Sequence, residues 1–229
     1  GEFGQQAELG SLTVTENSVD DGDWKDKWKE FFKPTKVTDH IVVKPTWEEY
    51  TPKEDGLVIE IDPGMAFGTG THETTSLCMK LMEKYLGEHP EEKKILDVGC
   101  GSGILSICGA LLGSREILGI EIDEDAVRVA HENVEENHVE DSVKVMQSDL
   151  TKGVDFKADV IVANLMADLV MLLSEDARKH LTEDGIFISS GILVEKEEMV
   201  SAAIREAGFR IVEIAEDGEW CAIAAVPEV

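Results

Sequence analysis

Residues 95–103 read Ile95-Leu96-Asp97-Val98-Gly99-Cys100-Gly101-Ser102-Gly103. This is a short apolar run that carries one acid and opens into a turn with glycine at every second position. A segment with apolar periodicity follows, from Ile104 to Leu112. The order predicts a strand, a tight turn and a helix. Glycines let the backbone approach a ligand closely, and a helix start presents free N–H groups, so we expect a ligand at this turn.

The spacing of glycines and acids around the turn indicates which ligand it binds. An NAD fingerprint of the form G-x-G-x-x-G requires glycine at position 104, and the chain has Ile104 there. Glu121 ends the next apolar run about 20 residues further on, where an acid typically binds ribose hydroxyls. Together with Asp97 before the glycines, this pattern favours S-adenosylmethionine. The alternative is an ordinary strand–helix turn that needs glycine for its shape alone.

The composition narrows the classes of partner. The 229 residues suffice for one large domain, or for one domain with an appendage. A net charge of −27 disfavours direct binding to nucleic acid, because phosphates would be repelled. The charge is compatible with a basic protein partner, and it also fits a simple soluble acidic surface. We expect neither nucleic acid nor membrane as a partner.

Cysteine usage and apolar runs indicate the compartment. The four cysteines form no C-x-x-C pair, so we expect buried, reduced thiols rather than disulfides or a metal site. No apolar run approaches the roughly 20 residues of a membrane span, and no signal-peptide pattern opens the chain. These features predict a cytoplasmic protein without a metal centre.

The beginning of the chain differs from the remainder. Aromatic residues recur at helical spacing from Trp24 to Phe32, and Pro34 ends the segment. The simplest interpretation is a short amphipathic helix that packs its aromatic face on the main domain. We predict a remnant or linker over residues 1–36 and a main domain over residues 37–229.

Residues 62–75 contain three glycines and four threonines, a composition that excludes a regular element. A loop of this kind that leads into a helix can close over a small molecule, and the alternative is an ordinary long loop. We expect Phe67, Gly68 and Thr69 to contact the ligand.

A helix is predicted after this loop, over residues 74–86. Its predicted N-cap is Thr71 or Thr74. His72 has no partner at metal-binding spacing, and we interpret it as structural.

After the glycine-rich turn, strands alternate with helices. Such alternation predicts a parallel, doubly wound sheet. Only residues 216–218 separate the last two strands, which predicts an antiparallel hairpin. The predicted strands cover residues 37–43, 57–61, 95–98, 117–121, 143–147, 160–163, 186–190, 210–215 and 219–226, and the further predicted helices cover residues 104–112, 124–137, 168–180 and 194–207.

Ligands of a doubly wound sheet bind outside the carboxyl ends of its strands. Four predicted strands end in polar residues, at Asp97, Glu121, Asp149 and Asn164. We expect Glu121 to bind the ribose hydroxyls and Asp149 to meet the adenine amino group, although Asp149 fits a solvated turn equally well. Asn164 is the catalytic candidate, and its alternative role is a helix cap. The methionine and ribose portions would lie against Gly99, Gly101 and Gly103.

Residues 97–103 resemble motif I of the class I S-adenosylmethionine-dependent methyltransferases. The run from Asp62 to Thr75 is more specific, and with residues 162–165 and 190–193 it resembles the bacterial ribosomal protein L11 methyltransferase family. The resemblance extends from about Asp23 to the C-terminus. It implies a Rossmann-like class I methyltransferase fold, with a mostly parallel seven-stranded twisted sheet, helices on both faces and a C-terminal antiparallel hairpin.

The resemblance also implies an activity. The family methylates lysine side chains and an N-terminal amine of a basic ribosomal protein, with S-adenosylmethionine as donor and S-adenosylhomocysteine as product. Thr75, Gly99, Glu121 and Asn164 would contact the cofactor or the site. Asn164 would accept an N–H bond from the substrate amine through its amide oxygen, with the Leu165 carbonyl as second acceptor. We expect no obligatory general base.

Two features depart from the family pattern. Position 121 is Glu where the family usually has Asp, which extends the side chain by one methylene. Only about 20 residues precede the aromatic segment, where the family carries a recognition domain, so we interpret the chain as a monomeric catalytic domain that lacks it. The alternatives are a methyltransferase for another protein, a small amine or RNA, and a module that binds S-adenosylmethionine without turnover.

Overall fold

The computed structural model describes residues 32–52, 54–62 and 72–228. From Lys33 onward the chain forms one compact unit. The predicted aromatic helix and most of the predicted ligand loop, including Phe67, Gly68 and Thr69, lie outside the described residues. Within the described part of the chain, no helix combines the length and the apolarity that crossing a membrane requires.

The described elements follow the predicted alternation of strands and helices. Two 3₁₀ turns are added, at Pro90–Glu92 and Val194–Lys196. In chain order the elements are β1 (Thr35–Lys36), β2 (Ile41–Pro45), β3 (Leu57–Ile61), α1 (Glu73–Leu86), β4 (Lys94–Val98), α2 (Ile104–Leu111), β5 (Glu116–Glu121), α3 (Glu124–Glu136), β6 (Val143–Gln147), β7 (Ala158–Asn164), α4 (Ala167–His180), β8 (Leu181–Leu193), α5 (Glu197–Glu206), β9 (Phe209–Asp217) and β10 (Trp220–Pro227).

The main sheet has seven strands in the order β6-β5-β4-β7-β8-β10-β9. Neighbouring strands from β6 to β8 are parallel, whereas β10 runs antiparallel to both β8 and β9. This confirms the predicted doubly wound sheet and its C-terminal hairpin. The chain winds outward from β4 in both directions, so a crevice for a ligand opens at the carboxyl end of that strand.

Helices cover both faces of the sheet, which is why its central strands β4 and β7 are largely buried and read as nearly continuous apolar runs. Ile95 of β4 packs into a core with α1, α2 and α3 on one face. Leu96 and Val98 pack into a second core with α4 and α5 on the other face. Because successive strand residues point to opposite faces, Asp97 points to the first face, where Ser106 of α2 donates a hydrogen bond to it.

A second sheet has three strands, with β1 antiparallel and β3 parallel to β2. The single strand predicted over residues 37–43 is wrong, because the chain turns between β1 and β2. The hydroxyl of Thr38 accepts hydrogen bonds from the backbone N–H groups of His40 and Ile41. Such side-chain bonds offer the backbone an alternative to strand pairing.

Two asparagines attach this small sheet to the rest of the molecule. Asn137 binds both backbone groups of Glu60, accepting from its N–H at 2.9 Å and donating to its carbonyl at 2.7 Å. Asn133, one turn earlier on the same helix face, accepts from the N–H of Asp62 at 3.1 Å and donates to the carbonyl of Ser102 at 2.9 Å. Asn133 therefore links the chain just after β3 directly to the glycine-rich turn.

Several elements differ in extent from their prediction by one or more residues. β8 is longer than the predicted residues 186–190, because it pairs with β7 on one side and β10 on the other. The last helix begins with a 3₁₀ turn. Trp220 pairs with Asp217, so the hairpin turn contains only Gly218 and Glu219.

Candidate functional site

A cavity of about 540 Å³ opens at the carboxyl ends of β4, β5 and β7. Its position and volume are those of a small-molecule site in a doubly wound sheet. Glu121 is the only carboxylate on its wall among the described residues. The wall consists of His72, Thr74, Thr75, Gly99, Cys100, Gly101, Ile104, Leu105, Glu121, Asn164, Leu165, Met166, Leu169, Gly191 and Trp220.

The glycine-rich turn forms one side of the cavity. The N–H groups of Gly99 and Cys100 donate to the carbonyl of Ile120, at 2.8 and 3.0 Å. Gly99 has a φ of +72°, and a Cβ there would lie 2.5 Å from Cδ2 of Leu165. Glycine therefore allows both the backbone conformation and the close approach to Leu165.

The carboxylate of Glu121 is held by backbone N–H groups. Its Oε2 accepts from Gly101 at 2.9 Å, and its Oε1 accepts from Ile122 and Asp123 at 2.8 and 3.1 Å. A carboxylate has about four acceptor positions. These three bonds orient the group and leave it able to accept one further bond from a hydroxyl.

Asn164 and Leu165 form a second part of the wall, at the end of β7. The N–H of Leu165 donates to the carbonyl of Ser190 at 3.0 Å, which continues the pairing of β7 with β8. Nδ2 of Asn164 donates to Oγ1 of Thr75 at 3.2 Å. Gly191 has a φ of +83°, and a Cβ there would lie 2.3 Å from the Leu165 oxygen and 3.1 Å from Oδ1 of Asn164. Helix α1 and strand β8 thus fix this side together.

His72 begins α1 as its N-cap, where Nδ1 accepts from the N–H of Thr74 at 3.3 Å. The cap predicted at Thr71 or Thr74 is therefore wrong, because a ring nitrogen fills the acceptor role expected of a hydroxyl. His72 also packs edge-on against Trp220, with ring centroids 5.1 Å apart. Trp220 lies on the cavity wall and is a site residue that the sequence reasoning missed.

Asp97 does not lie on the cavity wall. It is fully buried behind the turn, because its place in β4 directs it toward α2. Oδ2 accepts from the hydroxyl of Ser106 at 2.7 Å, whereas Oδ1 has no hydrogen-bond partner among the described residues. Burial raises the pKa of Asp97 to about 7, although the bonds from Ser106 oppose this shift; the negative charge of Glu121 adds to it. Its contact with a cofactor stays a prediction.

Two other predicted residues also lie off the wall. Gly103 is the N-cap of α2 and packs against Ala130 of α3. Asp149 follows β6 in a turn and pairs with Lys152, which matches the alternative of a solvated turn. No cluster of metal-binding side chains occurs in the described ranges. The predicted residues that meet at the cavity are Thr75, Gly99, Gly101, Glu121, Asn164 and Leu165.

Residues 3–228 match a family model described as Ribosomal protein L11 methyltransferase (PrmA). The chain is similar to the ribosomal protein L11 methyltransferase of Clostridium botulinum (strain Eklund 17B), with 47% identity over 218 residues that cover 95% of this chain and 68% of that protein. A protein of the same description from Alkaliphilus oremlandii is 46% identical over 224 residues, which cover 98% of this chain and 70% of that protein.

Solved structures show the same similarity. The crystal structure of a ribosomal protein L11 methylase from Lactobacillus delbrueckii subsp. bulgaricus has a TM-score of 0.81 at 33% identity, covering 86% of this chain and 100% of that chain. A 16S rRNA methyltransferase of T. thermophilus, solved with AdoMet and guanosine, has a TM-score of 0.58 at 22% identity, covering 71% of this chain and 45% of that chain. The second similarity concerns the fold alone.

Proposed function

The chain belongs to the ribosomal protein L11 methyltransferase family, and we propose that it transfers methyl groups from S-adenosylmethionine to lysine side chains and the N-terminal amine of ribosomal protein L11. The observation that carries this proposal is the single cavity onto which both Glu121 and Asn164 open. One side of that cavity suits a nucleoside, and the other suits an amine.

The residues of the cavity fit S-adenosylmethionine. Gly99 and Gly101 carry no side chain beyond Cα, so a ligand can approach the backbone at these two positions of the turn. Glu121 keeps an acceptor position for a ribose hydroxyl after its three backbone bonds. When bound, S-adenosylmethionine would supply an electrophilic sulfonium methyl group. The amine nitrogen would form the new N–C bond in line as the S–C bond breaks and S-adenosylhomocysteine leaves.

The substrate amine must be neutral to act as a nucleophile, whereas free lysine has a pKa of about 10.4. Near Asn164 the cavity wall is apolar, with Leu165, Leu169 and Trp220. Burial among such groups disfavours the ammonium form and lowers the pKa of the amine. Oδ1 of Asn164 and the carbonyl of Leu165 would accept the N–H bonds of the amine. Holding the nitrogen in one orientation supplies the main gain in rate.

His72 is the one imidazole on the wall among the described residues, and its geometry does not suit a general base. Its Nδ1 lies 3.3 Å from the N–H of Thr74 and 2.9 Å from the hydroxyl of the same residue, so this nitrogen is already engaged in the cap of α1. We propose that the amine loses its proton to water as it leaves bulk solvent, without an obligatory general base.

The charge of the chain supports a basic protein substrate. A net charge of −27 attracts a positively charged partner and repels phosphate. The proposal therefore includes no direct contact with nucleic acid. It also treats the chain as a monomer that acts in the cytoplasm.

Methyl transfer to purified ribosomal protein L11 tests the proposal. The chain is titrated calorimetrically with S-adenosylmethionine, with NAD as control, and then incubated with L11 and labelled methyl donor. We expect the chain to bind S-adenosylmethionine and not NAD. Mass spectrometry of L11 should then show methylated lysines and a methylated N-terminus. Binding without transfer would indicate a binding module, and absence of binding would refute the assignment of the glycine-rich turn.

A further inference from the structure

The side-chain amide of Asn164 has two chemically opposite ends, and each end has its own neighbour. Nδ2 faces α1 and donates to Oγ1 of Thr75 at 3.2 Å. Oδ1 lies on the other side, 3.1 Å from the place that a Cβ on Gly191 would occupy. The Leu165 oxygen lies 2.3 Å from the same point. Two acceptor oxygens therefore converge beside Gly191, while the donor end of the amide is turned away from them.

An amine substrate requires the acceptor end of this amide. A lysine arrives as an ammonium with three donors and no acceptor, so an amide turned with Nδ2 toward it would oppose donor to donor. Once the amine is neutral, an inverted amide would donate to the lone pair that must attack the methyl group. Oδ1 has to face the substrate in both states, and the Nδ2 protons then need an acceptor of their own.

Thr75 is placed to be that acceptor. Its side chain is only 2% exposed, so water does not readily replace its hydroxyl. It lies in the first turn of α1, where its own N–H donates to the carbonyl of His72 at 3.1 Å. The cap made by His72 fixes this turn and thereby fixes the position of the threonine hydroxyl.

We propose that Thr75 is a positioning residue, which binds Nδ2 of Asn164 and so keeps Oδ1 directed toward the substrate amine. The proposal rests on the amine methylation proposed above. It gives Thr75 a role that acts through Asn164, and the cofactor contact of Thr75 that the family resemblance implies stays a prediction. Thr75 and Asn164 are 89 residues apart in sequence, so only the fold brings them together.

A double-mutant cycle separates the two roles. Thr75→Val keeps the shape of the side chain and removes the acceptor, and we expect kcat for L11 methylation to fall on the order of ten- to a hundredfold. Thr75→Ser keeps the hydroxyl and should stay within about threefold of wild type. In an Asn164→Ala background, Thr75→Val should change kcat less than about twofold, because its target is already gone. The proposal would be overturned if Thr75→Val reduced kcat by the same factor in the Asn164→Ala background as in the wild type. A loss of S-adenosylmethionine affinity equal to the loss of kcat would also overturn it.

Hydrogen exchange of the Asn164 side-chain amide gives a readout that needs no turnover. Its NMR signals are assigned by their disappearance in Asn164→Ala. We expect slow exchange in wild type and in Thr75→Ser, and fast exchange in Thr75→Val with the remaining amide signals unchanged. Equal exchange in all three proteins would overturn the positioning role. A wild-type chain that protects this amide but does not methylate L11 would contradict the proposed function alone.

Discussion

The glycine-rich turn and the Asn164–Leu165 segment both line one cavity, yet they are held in place by different means. The turn is fixed by backbone groups, since N–H bonds from residues 101, 122 and 123 orient the carboxylate of Glu121. The Asn164–Leu165 segment, which forms the amine side of the cavity, depends on side chains and close contacts from α1 and β8. The comparison teaches that nucleoside binding follows from local chain conformation, whereas amine binding follows from contacts between remote elements.

Removing the amide of Asn164 should have the largest effect on activity, and it should impair turnover without impairing cofactor binding. We expect Asn164→Ala to reduce kcat about a hundred- to a thousandfold, because an oriented hydrogen-bonding group at the reacting nitrogen is lost. The Kd for S-adenosylmethionine should change less than about threefold. Steady-state kinetics measures kcat, and calorimetry measures the Kd. Equal losses of turnover and of affinity would contradict separate roles for the glycine-rich turn and the Asn164–Leu165 segment.

Gly191→Ala tests whether close packing holds the amine side. A Cβ would meet the Leu165 oxygen at 2.3 Å, and the φ of +83° is strained for alanine. We expect the free energy of unfolding to fall by about 3 kcal/mol, with loss of methyl transfer.

Gly208→Ala is the matched control. Gly208 has a φ of +84° and no atom within 4 Å of the new Cβ, so only the conformational strain of about 1–2 kcal/mol should appear. Urea denaturation of both variants gives the difference. Equal destabilisation would show that the contact with Leu165 contributes nothing.

Asp97→Asn probes the buried acid behind the turn. Its pKa in the folded chain, about 7, lies above the unfolded value of about 3.9. The folded state therefore binds the proton more tightly, and this residue's contribution to stability falls as the pH rises from about 4 to 7. Asparagine should raise the free energy of unfolding by about 2 kcal/mol at pH 8 and by little at pH 4. This is about half of the ~4 kcal/mol that the shift implies, because the amide must also be buried.

Thermal unfolding across this pH range measures the effect. A variant that is less stable than wild type at pH 8 would mean that the bond from Ser106 outweighs the cost of the buried charge. A simultaneous loss of S-adenosylmethionine affinity would support the predicted contact between Asp97 and the cofactor.

The two asparagines of α3 offer the smallest and most selective comparison. Asn133→Ala removes two side-chain hydrogen bonds. Asn137→Ala removes three, because Nδ2 of Asn137 also donates to the carbonyl of Asn133. Each substitution should cost about 1 kcal/mol of unfolding free energy. Only Asn133 binds the glycine-rich turn, through Ser102, so only its variant should also weaken S-adenosylmethionine binding, by about threefold. Calorimetry measures the affinity of the two variants for S-adenosylmethionine. Equal affinities would show that the bond from Asn133 to Ser102 does not influence ligand binding at the glycine-rich turn.

Much of the fold could be predicted because its elements carry strong local patterns. The strands β4, β5 and β7 are short, mostly apolar runs, and the helices around them show regular periodicity. The small sheet was harder, because β1 and β2 are separated by a turn that depends on one hydroxyl, that of Thr38. Apolar pattern alone does not reveal such a side-chain bond.

The site residues also divide into those that a local sequence motif predicts and those that only remote contacts define. Gly99 and Glu121 were found from a motif whose parts lie close together in sequence. Gly191 and Trp220 were missed as site residues, because their importance comes from what they touch. Gly191 looks like any turn glycine until its distance to Leu165 is known. The cap at His72 was missed because propensities favour hydroxyl residues there.

The asparagine pair of α3 also constrains how this chain can be recombined. β3 and the residue after it obtain backbone partners from a helix more than 70 residues later in sequence. A segment carrying β1 to β3 that is exchanged with a relative will therefore keep these backbone hydrogen bonds only if the receiving helix presents two asparagines one turn apart. The small sheet and α3 are therefore best exchanged together, because a crossover between them separates the asparagines from the backbone groups that they bind.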